Sequence, residues 1–300
     1  MTSAASVKDR LKNRVQETGK TIQELLTLYG LERTIYRLSI SRYRENFILK
    51  GGILLYALYD GSYARATTDI DLLAQRISND VEDIRRVFSE ILALEADDPL
   101  RFDVSTLSVK AISELNKYHG VRVSSVAYLD KTRIPVSIDI GFGDVVYPER
   151  VEMDFPVVLS DESPRIYAYS LCSSVAEKFE AIVSLAYDNS RFKDFYDLYV
   201  LATTRDFDGQ ELTEALKETF ENRHTSIEEI AAFEEGFADE PLRQSRWSAF
   251  VKRKRAMLPV SLEDTIAIMR NFLEPVLEAI RHGEEFNFKW CHEQKKWSKQ

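Results

Sequence analysis

The sequence predicts an α+β fold in which a domain with a β-sheet is flanked by N-terminal helices and followed by a helical C-terminal domain. Apolar residues recur at helical spacing in residues 5–41, alternate with polar residues at strand spacing in residues 102–141, and return to helical spacing from residue 173. A stretch rich in glycine and proline separates the two parts. We therefore expect one domain over residues 1–160 and a second over residues 161–300.

Residues 47–73 carry the most specific chemical pattern in the chain. The end of this stretch, Ala66 to Leu73, alternates polar and apolar residues, which predicts a strand with Asp69 and Asp71 on one face. Carboxylates two residues apart on a strand are about 6–7 Å apart, and both can converge on a hard cation such as Mg²⁺ or Mn²⁺. The pair therefore predicts a metal site, although a solvated strand end can carry the same pattern.

Two glycines open an apolar run within the same stretch. Gly51 and Gly52 lack a Cβ, so their backbone N–H groups can approach a ligand closely. The following residues, Ile53–Tyr59, are predicted to begin a helix whose N-terminus attracts anions. A tight turn before a core helix has a similar sequence, but the order of the glycine and aspartate pairs favours a metal–triphosphate site.

A third carboxylate follows on a strand rich in β-branched residues. Asp139 is the only acid in the predicted strand 133–141, which is expected to form a hairpin with residues 121–130. An isolated carboxylate of this kind lies either near an exposed edge or in a site. A metal–nucleotide site needs a third carboxylate from a neighbouring strand, so the first two aspartates support placing Asp139 beside them.

The remaining elements are predicted from periodicity. Residues 5–29, with a break near Gly19, and residues 31–41 indicate two or three N-terminal helices with Gly30 as a C-cap between them. Asp80 is a favourable N-cap for a later helix. A short strand is predicted near Phe155–Leu159. The C-terminal helices are predicted at residues 173–187, 192–202, 211–221, 226–236, 244–257 and 261–282.

Three charged residues lie on the first two of these C-terminal helices. Lys178 lies beside the apolar stripe of its helix, and Asp194 and Asp197 share one face of the next helix because they are three residues apart. Charges on helices are usually solvated, and helical spacing alone favours that interpretation.

The composition argues against membrane-spanning, secreted and disulfide-rich classes of protein. The 300 residues are 44% apolar, as in ordinary globular proteins, and no run of 18 apolar residues or signal-peptide pattern occurs. We therefore expect a cytoplasmic protein. Cys172 and Cys291 are distant in sequence and have no neighbouring His or Cys cluster, which argues against a disulfide framework or a zinc site.

The formal net charge of −9 argues against a uniformly basic surface for nucleic acid, but basic residues concentrate late in the chain. No acid occurs between Leu242 and Leu258. This segment is either a track for an RNA phosphate backbone or a solvated helix face. Its basic residues are Arg243, Arg246, Lys252, Arg253, Lys254 and Arg255.

Together these motifs resemble those of the AbiEii/AbiGii toxin family of nucleotidyltransferases, a branch of the DNA polymerase β-like superfamily. The resemblance covers roughly residues 5–255, and the combination is more specific than any single motif. Its motifs are Lys50-Gly51-Gly52, Arg65-x-Thr67-x-Asp69-Ile70-Asp71, Glu177-Lys178-Phe179-Glu180-Ala181 and Phe192-Lys193-Asp194-Phe195-Tyr196-Asp197.

The resemblance implies a polymerase β-like domain with a mixed sheet, a helical domain after it, and an active site in the cleft between them. Lys193 stands where the family commonly has an arginine. The implied roles are nucleotide binding for Gly51, Gly52, Arg65, Thr67 and Lys178; metal binding for Asp69 and Asp71; a second metal site or a general base for Asp139; and catalysis for Lys178 with Asp194 or Asp197.

The implied activity is transfer of a nucleoside monophosphate from an NTP to RNA, at the 3′ end of tRNA, which blocks translation. Such a toxin belongs to a type IV-like toxin–antitoxin system used in phage defence, and its expected partner is an antitoxin with a winged-helix DNA-binding domain. Two alternatives stay open. In the first, the acceptor is a protein or a small molecule such as an antibiotic. In the second, the chain is a non-catalytic nucleotide-binding regulator.

Overall fold

A computed structural model of the chain contains two compact units. Unit 1 comprises Met1–Gly143 and Val151–Tyr169, and unit 2 comprises Asp144–Arg150 and Ser170–Gln300. The structure describes residues 2–63, 67–114, 118–159, 162–253 and 259–299, with residues 113, 114, 118, 119 and 253 described by their backbone alone.

Unit 1 contains a seven-stranded sheet with helices before and between its strands. Its helices are α1 (Ala4–Thr18), α2 (Ile22–Ile40), α3 (Gly51–Leu58) and α4 (Val81–Leu92). Its strands are β1 (Phe47–Lys50), β2 (Ile70–Ala74), β3 (Leu100–Glu114), β4 (Tyr118–Leu129), β5 (Thr132–Phe142), β6 (Val151–Asp154) and β7 (Arg165–Ala168).

The sheet of unit 1 is mixed, as the family resemblance implies. The strand order is β3-β4-β5-β2-β1-β7-β6, in which β2 runs parallel to β5, and β1 runs parallel to β7. The other neighbouring pairs are antiparallel. The predicted hairpin is β4–β5, and the predicted N-cap Asp80 accepts hydrogen bonds from the first turn of α4.

Gly30 does not end a helix, in contrast to the sequence prediction. The helix α2 starts at a capping box between Thr21 and Glu24 and continues through Gly30 to Ile40. A Cβ at position 30 would lie only 2.6 Å from Cγ2 of Ile134 on β5. Glycine is therefore required there for close packing of the helix on the sheet.

Unit 2 is mainly helical and also contains a small sheet. Its three strands are arranged in the order β10-β9-β8. The helices are α5 (Leu171–Leu185), α6 (Phe192–Thr204), α7 (Gly209–Asn222), α8 (Pro241–Arg253) and α9 (Leu262–His282). The strands are β8 (Phe207–Asp208), β9 (Phe288–Cys291) and β10 (Lys296–Lys299).

Three further details differ from the prediction. The strand near Phe155–Leu159 is replaced by the neighbouring strands β6 and β7, and the helix at 226–236 is reduced to a 3₁₀ turn at Ala231–Phe233. The C-terminal hairpin β9–β10 was not predicted from the sequence. It forms because Trp290 and Trp297 pack with Phe272 of α9, and each indole N–H donates to a backbone carbonyl.

Both cysteines are free thiols. Burial raises the pKa of the Cys172 thiol to about 12, with further contributions from Glu211 and Asp208. Within the described ranges, no helix has both the length and the apolar character needed to cross a membrane.

Replacing Gly30 by alanine tests the packing of α2 on β5. We expect Gly30→Ala to lower the free energy of unfolding by about 1–3 kcal/mol, because overpacking outweighs the better helix propensity of alanine. Urea unfolding measures this change. In the Gly30→Ala background, Ile134→Ala should cost less than it does alone, because it removes the Cγ2 that would clash. Additive losses in the two variants would contradict this explanation.

Candidate functional site

The register of the central strands places four charged residues at neighbouring positions across the sheet. Arg122 of β4 is opposite Asp139 of β5, Asp139 is beside Asp71 of β2, and Asp71 is opposite Lys50 of β1. Side chains at such neighbouring positions can interact directly. The sheet therefore brings two carboxylates together and places a cationic residue on each side of them.

Asp69 completes a cluster of three carboxylates. It lies at a bend immediately before β2 and is therefore not part of the strand on which the sequence places it. Asp69, Asp71 and Asp139 are each partly exposed and offer oxygen atoms that all lie within 4.8 Å of one another. Hard divalent cations prefer oxygen ligands, so the cluster is compatible with such a cation.

Gly51 is the residue that allows Asp71 to take its place in this cluster. Its φ of +69° lies in the left-handed region, and a Cβ there would be 1.9 Å from Oδ2 of Asp71. The backbone N–H of Gly52 donates to the same oxygen at 3.3 Å. The start of α3 thus surrounds the Asp71 carboxylate closely, which no side chain at position 51 would permit.

Two other residues belong to this predicted motif, Thr67 and Arg65. Thr67 is buried, and its hydroxyl donates to the backbone carbonyl of Asp69 at 3.2 Å, so it supports the bend that carries that residue. Arg65 lies outside the described residues. The nucleotide-binding roles of both residues stay predictions.

Arg122 binds both oxygens of Asp139. Its Nε donates to Oδ1 and its Nη2 donates to Oδ2, each at 2.6 Å. The Arg122 side chain is 52% exposed and that of Asp139 is 23% exposed. The third carboxylate of the cluster is therefore held in a fixed orientation by a partly solvated guanidinium.

A second charged cluster lies within unit 2, where α5 and α6 pack together. The Lys178 ammonium donates to Asp197 at 2.7 Å and to Asp194 at 3.2 Å. All three residues are buried, and Asp197 has no exposed surface. Helical spacing alone favours solvated charges here, whereas the packing of the two helices creates a buried ion-pair network.

Arg191 adds a fourth charge to this network. Its Nε donates to Oδ2 of Asp194 at 2.8 Å, while the neighbouring Lys193 is exposed. Asp194 thus joins a buried lysine to an arginine whose side chain is 37% exposed. The arginine that contacts this aspartate comes from a position two residues before Lys193.

A third network in unit 2 surrounds Arg223. Its guanidinium donates to Asp144, Glu177 and Glu180, and Glu180 also accepts from the Thr225 hydroxyl. Burial disfavours the charged guanidinium, but Glu177, Asp144 and Glu180 outweigh burial and raise the pKa of Arg223. The network fixes the segment Asp144–Arg150 to the helices of unit 2.

The basic residues between Leu242 and Leu258 lie in different environments. Arg243 is buried, donates to the backbone carbonyls of Phe237 and Tyr187, and lies over the Phe237 ring. These contacts give Arg243 a structural role, which removes it from the predicted RNA track. Arg246 and Lys252 are exposed on α8. Lys254 and Arg255 lie outside the described residues, as does the side chain of Arg253.

Sequence reasoning missed three cations that accompany the predicted acids: Lys50, Arg122 and Arg191. Two of them were accessible from the sequence. Counting back from a two-residue turn at Asp130 and Lys131 places Arg122 opposite Asp139, and Arg191 is only three residues before Asp194 at the start of the same helix. The position of Lys50 beside Asp71 depends on the pairing of β1 with β2.

Comparison with known proteins identifies one matching family model. The model described as "Nucleotidyl transferase AbiEii toxin, Type IV TA system" matches residues 33–268. No curated protein matches the chain.

Similar solved structures include two from Helicobacter pylori. JHP933 has 15% sequence identity and a TM-score of 0.47, with 86% of this chain and 94% of that chain covered. A putative nucleotidyltransferase has 16% identity and a TM-score of 0.45, with 86% and 96% covered.

Substitution of Gly51 tests its contact with Asp71. We expect Gly51→Ala to weaken Mn²⁺ binding by about tenfold or more, because the added methyl group displaces a carboxylate of the cluster. Electron paramagnetic resonance of free Mn²⁺ measures the affinity. Gly19→Ala is the matched control, since Gly19 has a φ of +67° and a Cβ added there would meet no atom within 4 Å. Equal loss of affinity in both variants would contradict the proposed clash.

Removal of Lys178 tests the buried network of unit 2. We expect Lys178→Met to lower the free energy of unfolding by about 3–5 kcal/mol, because a buried carboxylate loses its partner. Lys178→Met/Asp197→Asn should be more stable than the single variant, since the unpaired charge is also removed. Urea unfolding compares both with the exposed control Lys193→Met. A further loss of stability in the double variant would refute this account.

Proposed function

This chain belongs to the AbiEii nucleotidyl transferase toxin family of type IV toxin–antitoxin systems, and on that premise we propose that it transfers a nucleoside monophosphate from an NTP to RNA. The observation that carries the proposal is the cluster of Asp69, Asp71 and Asp139, whose oxygens lie within 4.8 Å of one another beside the start of α3. Carboxylates so close together are costly without a cation.

In the proposed reaction, a hydroxyl oxygen of the acceptor attacks the α-phosphorus of the NTP. A new phosphorus–oxygen bond forms to the acceptor, the bond to the β-phosphate oxygen breaks, and pyrophosphate leaves. Asp139 is the proposed base that takes the hydroxyl proton, and its oxygens are also within reach of a cation held by Asp69 and Asp71. A divalent cation, Mg²⁺ or Mn²⁺, would orient the triphosphate and offset negative charge on the leaving oxygen.

The residues of unit 1 have distinct proposed tasks. Asp69 and Asp71 hold the cation, and the Gly51–Gly52 backbone at the N-terminus of α3 provides a favourable environment for phosphate oxygens. Gly52 already donates its N–H to Asp71. The glycine pair therefore has a second task in the proposal, which is to fix a cation ligand.

For unit 2 we propose that Lys178 supplies positive charge for phosphate and that Asp194 and Asp197 position its ammonium. Their hydrogen bonds to Lys178 and their burial support a positioning role for both aspartates. Asp194 also contacts Arg191, which is more exposed than Lys178 and therefore better placed for an anionic ligand.

We propose the 3′ end of tRNA as the acceptor, so that transfer blocks translation. The exposed residues Arg246 and Lys252 on an acid-free helix support contact with an RNA backbone, since each neutralised phosphate releases counterions. A toxin of this activity requires a cognate antitoxin, for which we propose a winged-helix DNA-binding protein.

The test is to incubate the protein with Mg²⁺, total tRNA and each α-³²P-labelled NTP in turn, and to resolve the products on a denaturing gel. We expect labelled tRNA with at least one NTP. Asp69→Asn/Asp71→Asn should reduce labelling by about 100-fold or more, because the cation contributes several kcal/mol to charge stabilisation.

Asp154→Asn is the control for this test, because Asp154 is exposed on the edge strand β6. It should label tRNA as the unmodified protein does. Absence of label on tRNA from a folded protein that binds NTP would refute the tRNA proposal. Labelling that survives the double substitution would refute the site.

A further inference from the structure

The ion pair between Arg122 and Asp139 is more specific than stability requires. Two parallel N–H···O bonds join the guanidinium to the carboxylate, which is the strongest geometry available to such a pair. The Arg122 side chain is half exposed, so solvent screens the pair and limits what it adds to stability. The pair therefore calls for an explanation in terms of the site to which Asp139 belongs.

Asp139 has two competing uses for the same oxygens. Arg122 donates to both of them, while a cation held by the cluster would take at least one. A carboxylate has about four lone-pair positions, so the two uses can coexist in part. Each positive charge nevertheless weakens the attraction of Asp139 for the other, and the two like charges repel each other.

Asp71 accepts a hydrogen bond of a different kind. Its Oδ2 accepts from the backbone N–H of Gly52, a neutral donor at 3.3 Å. Lys50 lies opposite Asp71 on the neighbouring strand, as Arg122 lies opposite Asp139. The guanidinium of Arg122 both orients Asp139 and offsets its charge.

We propose that Arg122 is a positioning residue that competes with a divalent cation for Asp139. It fixes the orientation of the third carboxylate and lowers the cation affinity of the nucleotide-free protein. This inference rests on the proposed cation-dependent transfer. For that reaction, Arg122 keeps Asp139 oriented and charge-balanced until the cation and the nucleotide bind.

The test measures Mn²⁺ affinity of the full chain without nucleotide, by electron paramagnetic resonance of free Mn²⁺. We expect Arg122→Gln to bind Mn²⁺ about tenfold more tightly than the unmodified protein, because a competing charge is removed. Arg133→Gln, on the same hairpin and with the same change of net charge, should stay within about twofold of it. Unchanged or weaker binding by Arg122→Gln would overturn the proposal, since a purely structural arginine would weaken the site when removed.

A double-substitution cycle connects the effect to Asp139. In an Asp139→Asn background, Arg122→Gln should no longer raise Mn²⁺ affinity, because the shared carboxylate is absent. The same rise in both backgrounds would mean general repulsion and would also overturn the proposal.

Arg122→Lys is the second variant, and it decides the question if Arg122→Gln does not fold. Lysine keeps the charge but cannot bind both oxygens with a planar fork. A rise of about threefold in Mn²⁺ affinity supports competition for the carboxylate, and no rise refutes it. Because these measurements need no NTP or RNA, a protein that binds Mn²⁺ as expected but labels no tRNA would refute the proposed function alone.

Discussion

The close approach between the Gly51 backbone and the Asp71 carboxylate is the contact on which the site in unit 1 depends. It requires a left-handed backbone at position 51, the absence of a Cβ, and antiparallel pairing that brings β1 and β2 into register. Once Asp71 is fixed there, parallel pairing of β2 with β5 places Asp139 beside it. The central strands and one helix start thus define the carboxylate cluster.

Both units pair their carboxylates with cations, but the pairs differ in their exposure to solvent. In unit 1, Arg122 binds Asp139 at the side of the carboxylate cluster, where both groups keep contact with solvent. In unit 2, Lys178 binds two aspartates that are almost fully enclosed. The exposed pair can exchange partners at little cost, whereas breaking the buried network leaves a charge without solvent. This difference suits Arg122 to adjustment and Lys178 to a fixed position.

Elements with strong local signals were predicted well. The β4–β5 hairpin and the helix capped by Asp80 follow from alternation, turn residues and capping chemistry. Elements that depend on distant contacts were not. Gly30 resembles a helix stop until the approach of Ile134 is known, and the C-terminal hairpin exists because its tryptophans pack on α9.

The sequence by itself determined the acids and glycines of the candidate site, because cation and phosphate chemistry restricts the residue types and their spacing within one short stretch. It also indicated Asp139 as a candidate for the same site. Only the tertiary structure decided which distant groups meet: Lys178 with Asp194 and Asp197, Arg223 with Asp144, and Arg243 with the backbone carbonyls of Phe237 and Tyr187. The physical reason is that a long cationic side chain can reach many partners, and packing between distant segments selects one of them.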